Sequence, residues 1–124
     1  MTATVLPAAT SAAEELRRVL DAALHDADVA SRLRVVDTTA RIRIGDGPVV
    51  AVALDEDPPR IVDAKVSTTI ELSVTVRDWE AFLSRRLPLA VAVAETHRGP
   101  VRRLLQVMPI VRSLIEQTRS GSPR

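Results

Sequence analysis

The residues best suited to chemistry in this sequence are a carboxylate and an imidazole, Glu95 and His97. They are two positions apart, so on a β-strand their side chains would share one face. Such a pair can exchange protons with a substrate as general acid and base. A catalytic site needs more converging groups than two, so we expect no enzyme and name no catalytic residue. If the pair faces a cavity, its expected role is hydrogen bonding to the polar head of a ligand.

The other polar clusters favour structural explanations. Asp55, Glu56 and Asp57 lack the spacing of a calcium loop and run into two prolines, which indicates a solvated turn. His25 falls near the end of a predicted helix, where a positive charge suits the helix dipole. The chain has no cysteine, which excludes disulfides and cysteine metal sites, and two histidines need carboxylate help to hold zinc. We therefore expect no metal and no cofactor.

Charge and aromatic content argue against a nucleic-acid partner. Seventeen basic and sixteen acidic residues give a net charge of +1, with the two signs interspersed. Nucleic-acid binding requires a basic face, and single strands also require stacking aromatics, whereas Trp79 and Phe82 are the only aromatic residues. The pairs Arg85–Arg86 and Arg102–Arg103 fit surface charge, with contact to a phosphate or acyl-CoA head group as a secondary possibility.

The length of 124 residues fits one domain, and the 46% of hydrophobic residues supply an aliphatic core. We assign residues 1–10 to a flexible lead-in, 11–117 to the domain and 118–124 to a polar tail. No apolar run is long enough for stable membrane insertion. The N-terminal stretch lacks the positive charge of a signal peptide, so a cytoplasmic location is expected.

Hydrophobic periodicity predicts two helices followed by four strands. Ser11 and Glu14 match a capping box, and Asp28 is the expected N-cap of a second helix through Leu33. Four strands joined by short turns favour an antiparallel meander or hairpins, with one apolar face covered by helices. The predicted first helix carries the apolar stripe Leu16, Val19, Leu20, Ala23 and Leu24, and the predicted strands are Thr39–Ile44, Val49–Leu54, Arg60–Val66 and Ile70–Val76.

The last third of the chain predicts two further helices. Thr75 and Asp78 match a second capping box, which opens a helix carrying Trp79, Phe82 and Leu83. The segment Leu87–Ala94 fits either a short helix or a buried strand. Gly99 and Pro100 then open a helix that Pro109 should kink or break. Its apolar stripe consists of Val101, Leu104, Leu105, Met108, Val111 and Ile115.

Three stretches, residues 57–63, 68–84 and 98–105, resemble the sterol carrier protein type 2 family along most of residues 12–117. The resemblance implies an α+β fold with about five mainly antiparallel strands, covered on one face by helices. It also implies binding or transfer of a sterol, fatty acid or acyl-CoA in an apolar tunnel between sheet and helices. Carried over residue by residue, the tunnel wall falls on Ile70, Leu72, Val74, Trp79, Phe82, Leu83, Leu104, Leu105, Met108 and Val111.

The sequence departs from the family pattern around its last strand. The segment between Ser84 and Gly99 is shorter than usual, and Glu95 and His97 stand where the family alternates apolar residues. Two alternatives therefore stay open beside a lipid carrier. One is a small isomerase or cyclase that uses this pair on a hydrophobic substrate. The other is an accessory subunit whose groove along the Val101–Ile115 helix binds a partner helix.

Overall fold

The computed structural model describes residues 8–88, 97–98 and 101–120. Its helices are α1 (Ala8–Leu24), α2 (Ala27–Arg34), α3 (Val76–Leu83) and α4 (Val101–Arg119). Its strands are β1 (Thr39–Ile44), β2 (Val50–Ala53), β3 (Arg60–Val62), β4 (Ile70–Val74) and β5 (His97–Arg98).

The strands form one mixed sheet in the order β3-β2-β1-β4-β5. Three neighbouring pairs are antiparallel, and β1 and β4 are parallel with Ala40 opposite Ile70. The predicted α+β class with about five mainly antiparallel strands is confirmed. The predicted meander is wrong, because β4 pairs with β1 and not with β3. Alternation shows which face of a strand is buried but not which strand lies beside it.

Two side chains explain where β3 ends and where β4 begins. The carboxylate of Asp63 accepts from the amide of Lys65 at 2.8 Å, and the amide of Val66 donates to the Asp63 carbonyl. This Asp-based turn ends β3 at Val62, four residues before the predicted end. At the start of β4, the amide of Thr69 donates to Oγ1 of Thr39 at 2.8 Å and ties β4 to β1.

The turn between β1 and β2 requires glycine because it lies against α1. Gly45 has a φ of +61°, and a Cβ there would lie 3.0 Å from the Cβ of Ala9. A Cβ on Gly47 would lie 2.7 Å from the carbonyl oxygen of Ala9. Both glycines therefore allow the first turn of α1 to approach the sheet.

Helix starts were predicted with mixed success. Oγ1 of Thr75 accepts from the amide of Asp78 at 3.0 Å, as expected of the cap of α3. The cap of α2 is Asp26, which accepts from the amides of Asp28 and Val29, so the assignment to Asp28 was wrong by two residues. Ser11 lies inside α1, because small residues good for a helix precede it and α1 already includes Ala8.

The last helix is longer and more continuous than its sequence predicts. It runs through Pro109 without a break, because that ring lies on the exposed face. The carbonyl of Leu105 loses its helical donor there, on the side open to solvent. The helix also continues through Arg119, two residues into the segment predicted to be a tail.

One large hydrophobic core lies between the helices and one face of the sheet. Along β1, Ala40, Ile42 and Ile44 are buried in this core, while Arg41 and Arg43 project from the opposite face. Arg41 faces Glu71 across the parallel pair there, with 3.9 Å between the charged atoms. Along β1 the two faces therefore differ as the alternation predicts, with apolar residues on one side and charged residues on the other. On β2 and β3 the second side is apolar as well, because Ala51, Ala53 and Val62 form a small buried cluster there.

Candidate functional site

The structure brings most of the predicted wall residues into this one core. Each is at most 9% exposed, and they come from three elements that face one another. They are Ile70, Leu72 and Val74 of β4, Trp79, Phe82 and Leu83 of α3, and Met108 and Val111 of α4.

Helical phase explains why Leu105 does not join them. Val107, Met108, Val111 and Ile115 form the buried stripe of α4. At about 100° per residue, Leu105 points roughly 100° away from the centre of that stripe. Its side chain is 38% exposed and lies outside the core. The side chain of Leu104 lies outside the described part of the chain.

The proposed polar pair is only partly described. Glu95 lies outside the described residues. His97 belongs to β5, where its backbone is paired with Leu72, and Arg98 is paired with Glu71. The last strand therefore includes the two residues just before Gly99 and lies beside β4.

Two aromatic residues belong to this buried set. Trp79 and Phe82 are three positions apart on α3 and share its buried face. Their ring centroids lie 5.8 Å apart with the planes tilted by 43°, a separation and tilt typical of attractive aromatic pairs. Both side chains are 1% exposed.

A third residue beside the aromatic pair, Arg112, was not predicted from the sequence. The guanidinium carbon of Arg112 lies 5.0 Å from the centroid of the Phe82 ring, within the range of a cation–π contact. A signal for it exists, because Arg112 follows Met108 by four residues and precedes Ile115 by three. That spacing places a charged residue at the border of the apolar stripe of α4.

Two hydrogen-bond donors in this cluster have no acceptor. Among the residues that the structure describes, Nε1 of Trp79 and Nε of Arg112 are the buried side-chain nitrogen and oxygen atoms without a partner. A buried polar group left unpaired costs about 1–3 kcal/mol. The two buried, unpaired donors therefore belong to the two side chains that lie beside the Phe82 ring.

Ion pairs surround this cluster and connect the helices that cover it. Arg85 donates to both carboxylate oxygens of Glu116 at 3.1 and 2.9 Å. This hydrogen bonding, with the nearby charges of Arg85 and Arg112, lowers the pKa of Glu116 below its ordinary value. Arg119 donates to Glu15 of α1 and Glu80 of α3, and these bonds raise the pKa of its guanidinium.

The other polar clusters take part in local structure. Glu56 accepts from Arg60 at 2.6 Å, and this hydrogen bond lowers the pKa of Glu56. Nδ1 of His25 donates to the carbonyl of Asp21 at 2.7 Å near the end of α1. Arg103 donates to the carbonyl of Val36. Within residues 8–88, 97–98 and 101–120, no three potential ligand side chains gather as a metal site would require.

Two surface pockets open away from the aromatic pair. One, of about 420 Å³, lies where α1 and α3 meet Arg119. The other, of about 510 Å³, lies between α2 and the turn at Pro58 and Pro59. Neither is lined by Trp79, Phe82 or Arg112.

Among the described helices, none is both long enough and apolar enough to cross a lipid bilayer.

Comparison with known proteins identifies the architecture. No protein-family model matches the chain, and no curated protein matches its sequence. The solved sterol carrier protein domain 2 of Helicoverpa armigera matches 99% of this chain and 98% of its own, with 11% identity and a TM-score of 0.62. Sterol carrier protein 2 of Yarrowia lipolytica, in its apo form, matches 93% and 98% of the two chains, with 11% identity and a TM-score of 0.58.

A bacterial structure extends the comparison. A conserved hypothetical protein of Thermus thermophilus, described as possibly a sterol carrier protein, matches 99% of this chain and 94% of its own. Its identity is 13% and its TM-score 0.53. All three agree with the α+β architecture described above and extend over nearly the whole of each chain. The chain therefore has the fold of the sterol carrier protein 2 domains.

Proposed function

We propose that this protein binds and transfers an apolar, lipid-like ligand of the sterol, fatty-acid or acyl-CoA class in a hydrophobic cavity between sheet and helices. The observation that carries the proposal is the fold match to a sterol carrier domain over 99% of this chain and 98% of the other. We further propose that the protein acts in the cytoplasm as a carrier, without a catalytic step.

The apolar wall supports this proposal independently of the fold match. It is aliphatic apart from Trp79 and Phe82, and side chains from the sheet and two helices contribute to it. Each square ångström of apolar surface removed from water contributes about 25 cal/mol, so a long hydrocarbon ligand gains affinity without directional contacts. Met108 adds an unbranched side chain that adapts to ligands of different shape.

The direct test is native mass spectrometry of the purified protein, followed by organic extraction and identification of bound lipids. A stoichiometric bound lipid, or a mass shift after incubation with sterols, fatty acids or acyl-CoA, is the expected result. A mass that matches the bare chain, unchanged by all three lipid classes, would contradict a carrier function. It would favour an accessory subunit that binds a partner helix.

Substitutions can distinguish the role of the apolar wall in lipid binding from the role of Glu95. Leu72→Arg and Phe82→Asp should abolish lipid binding, because each places a charge in the wall. Ser73→Arg is the matched control, since Ser73 projects from the opposite, exposed face of β4. Glu95→Gln should leave binding largely intact. Loss of binding in Glu95→Gln, with binding kept in the two wall variants, would favour a cavity enzyme instead. Circular dichroism would confirm that each variant is folded.

A further inference from the structure

The Trp79–Phe82–Arg112 cluster combines apolar packing with unused hydrogen-bonding capacity. Tryptophan and arginine donate hydrogen bonds but accept none, so only an acceptor can satisfy Nε1 of Trp79 and Nε of Arg112. The rings of Trp79 and Phe82 are 5.8 Å apart, and the guanidinium carbon lies 5.0 Å from the Phe82 centroid. Both donors therefore belong to side chains that lie beside the same aromatic ring, that of Phe82.

A neighbouring carboxylate, that of Glu116, is hydrogen-bonded to a different arginine. Glu116 is close enough to Arg112 for the guanidinium charge to lower its pKa. Both of its oxygens, however, accept hydrogen bonds from Arg85. Arg112 thus brings a positive charge and a buried donor to the aromatic pair, while Glu116 is held on Arg85.

We propose, on the basis of the carrier function above, that Trp79 and Arg112 form the head-group subsite of the ligand and select an apolar chain that ends in a carboxylate. The carboxylate accepts from Nε1 of Trp79 and Nε of Arg112, and its hydrocarbon chain lies along the aliphatic wall. A carboxylate matches the guanidinium in charge and geometry. A hydroxyl or an ester accepts hydrogen bonds but brings no negative charge to Arg112.

The test compares ligands that share one hydrocarbon chain and differ only in the head group. Palmitate, 1-hexadecanol and methyl palmitate would each displace Nile red, an uncharged apolar fluorophore, from the full chain. We expect palmitate to bind about 10- to 100-fold more tightly than the two neutral ligands, the range typical of a charge-assisted hydrogen bond.

Arg112→Gln should remove this preference, because palmitate then binds no more tightly than 1-hexadecanol. Trp79→Phe should reduce it, because phenylalanine keeps the ring but lacks the donor. Arg102→Gln is the matched control, an exposed arginine on the same helix, and should keep the full preference. Thermal unfolding would show that the three variants fold, and Arg112→Lys, which retains the charge, should restore part of the preference.

The possible results are distinguishable. Equal affinity of the wild-type protein for palmitate and 1-hexadecanol would overturn the head-group subsite but leave the carrier function standing. A palmitate preference that survives in Arg112→Gln would place the head group elsewhere and would also overturn the subsite. Failure of all three ligands and Nile red to bind would contradict the proposed function itself.

Discussion

Arg119 near the end of α4 donates two hydrogen bonds to Glu15 of α1, at 2.9 and 2.7 Å, across 104 positions of the chain. It also reaches both carboxylate oxygens of Glu80 on α3. One guanidinium thus joins α1 and α4 to α3, the helix that carries the aromatic pair. The Glu15 side chain is only 16% exposed, so this link is better shielded from solvent than most surface ion pairs.

Arg119→Ala should lower the free energy of unfolding by about 1 kcal/mol, near the upper end for surface ion pairs. Urea unfolding followed by the fluorescence of Trp79, the single tryptophan, measures this loss. The difference should shrink in concentrated salt, which screens the charges. Arg17→Ala, at an exposed position of α1, is the control and should change stability by less than about 0.5 kcal/mol. Equal losses of unfolding free energy in Arg119→Ala and Arg17→Ala would show that the ion pairs of Arg119 do not stabilise the fold.

The Arg85–Glu116 pair predicts a pH-dependent contribution to stability. The hydrogen bonds from Arg85 lower the pKa of Glu116 below 4.5. A carboxyl whose pKa is lower in the folded state stabilises the fold above its unfolded pKa and stops doing so as the pH falls through its folded pKa. Glu116→Gln should therefore be less stable than wild type at neutral pH, and the difference should vanish as the pH falls below 4.5.

Unfolding curves of wild type and Glu116→Gln across this pH range measure the difference directly. In an Arg85→Ala background, Glu116→Gln should lose most of its effect, because the main partner is gone. A pH-independent difference between wild type and Glu116→Gln would show that the pair adds no electrostatic stability.

Two leucine-sized side chains on α4 test which face of the helix is buried. Met108 is 2% exposed and Leu105 is 38% exposed. Met108→Ala should lower the free energy of unfolding by about 2–5 kcal/mol through the lost burial and the resulting cavity. Leu105→Ala should cost about 1 kcal/mol or less. The reverse order in chemical denaturation would mean that α4 is rotated relative to this structure.

Gly45→Ala tests the close approach of α1 to the β1–β2 turn. The left-handed backbone at this position costs a non-glycine residue about 1–2 kcal/mol, and the new Cβ would meet Ala9 at 3.0 Å. We therefore expect a loss of at least that size in the free energy of unfolding. Asp46→Ala, exposed in the same turn, should change it by about 0.5 kcal/mol or less. A neutral Gly45→Ala would show that α1 does not contact the turn.

The sequence predicts individual elements better than their arrangement. The bounds of β1 match the prediction, because the alternation of Ala40, Ile42 and Ile44 with polar residues is regular. The parallel pairing of β1 with β4 leaves no mark on that alternation, so it could not be predicted from the residues alone. The early end of β3 depends on the side chain of Asp63, which periodicity does not register.

The candidate site, too, was predictable where it depends on the spacing of apolar residues and not where it depends on the packing of helices. Apolar spacing correctly places Phe82 and Met108 in the core, and it fails for Leu105 because the stripe of α4 is narrower than the run of apolar residues. Arg112 was missed because an arginine in an amphipathic helix normally indicates its solvated face. Its position over the Phe82 ring depends on how α3 and α4 pack, which is tertiary information.

The contact between Glu15 and Arg119 also bears on synthesis of the chain. Ribosomes add roughly 5–20 residues per second. The 104 residues that follow Glu15, up to and including Arg119, therefore take roughly 5–20 s to make. Throughout that interval α1 has been translated, but the helix that pairs with it has not. The apolar stripe of α1 is therefore available to chaperones during this time. The nascent chain cannot complete its core until α4 leaves the ribosome.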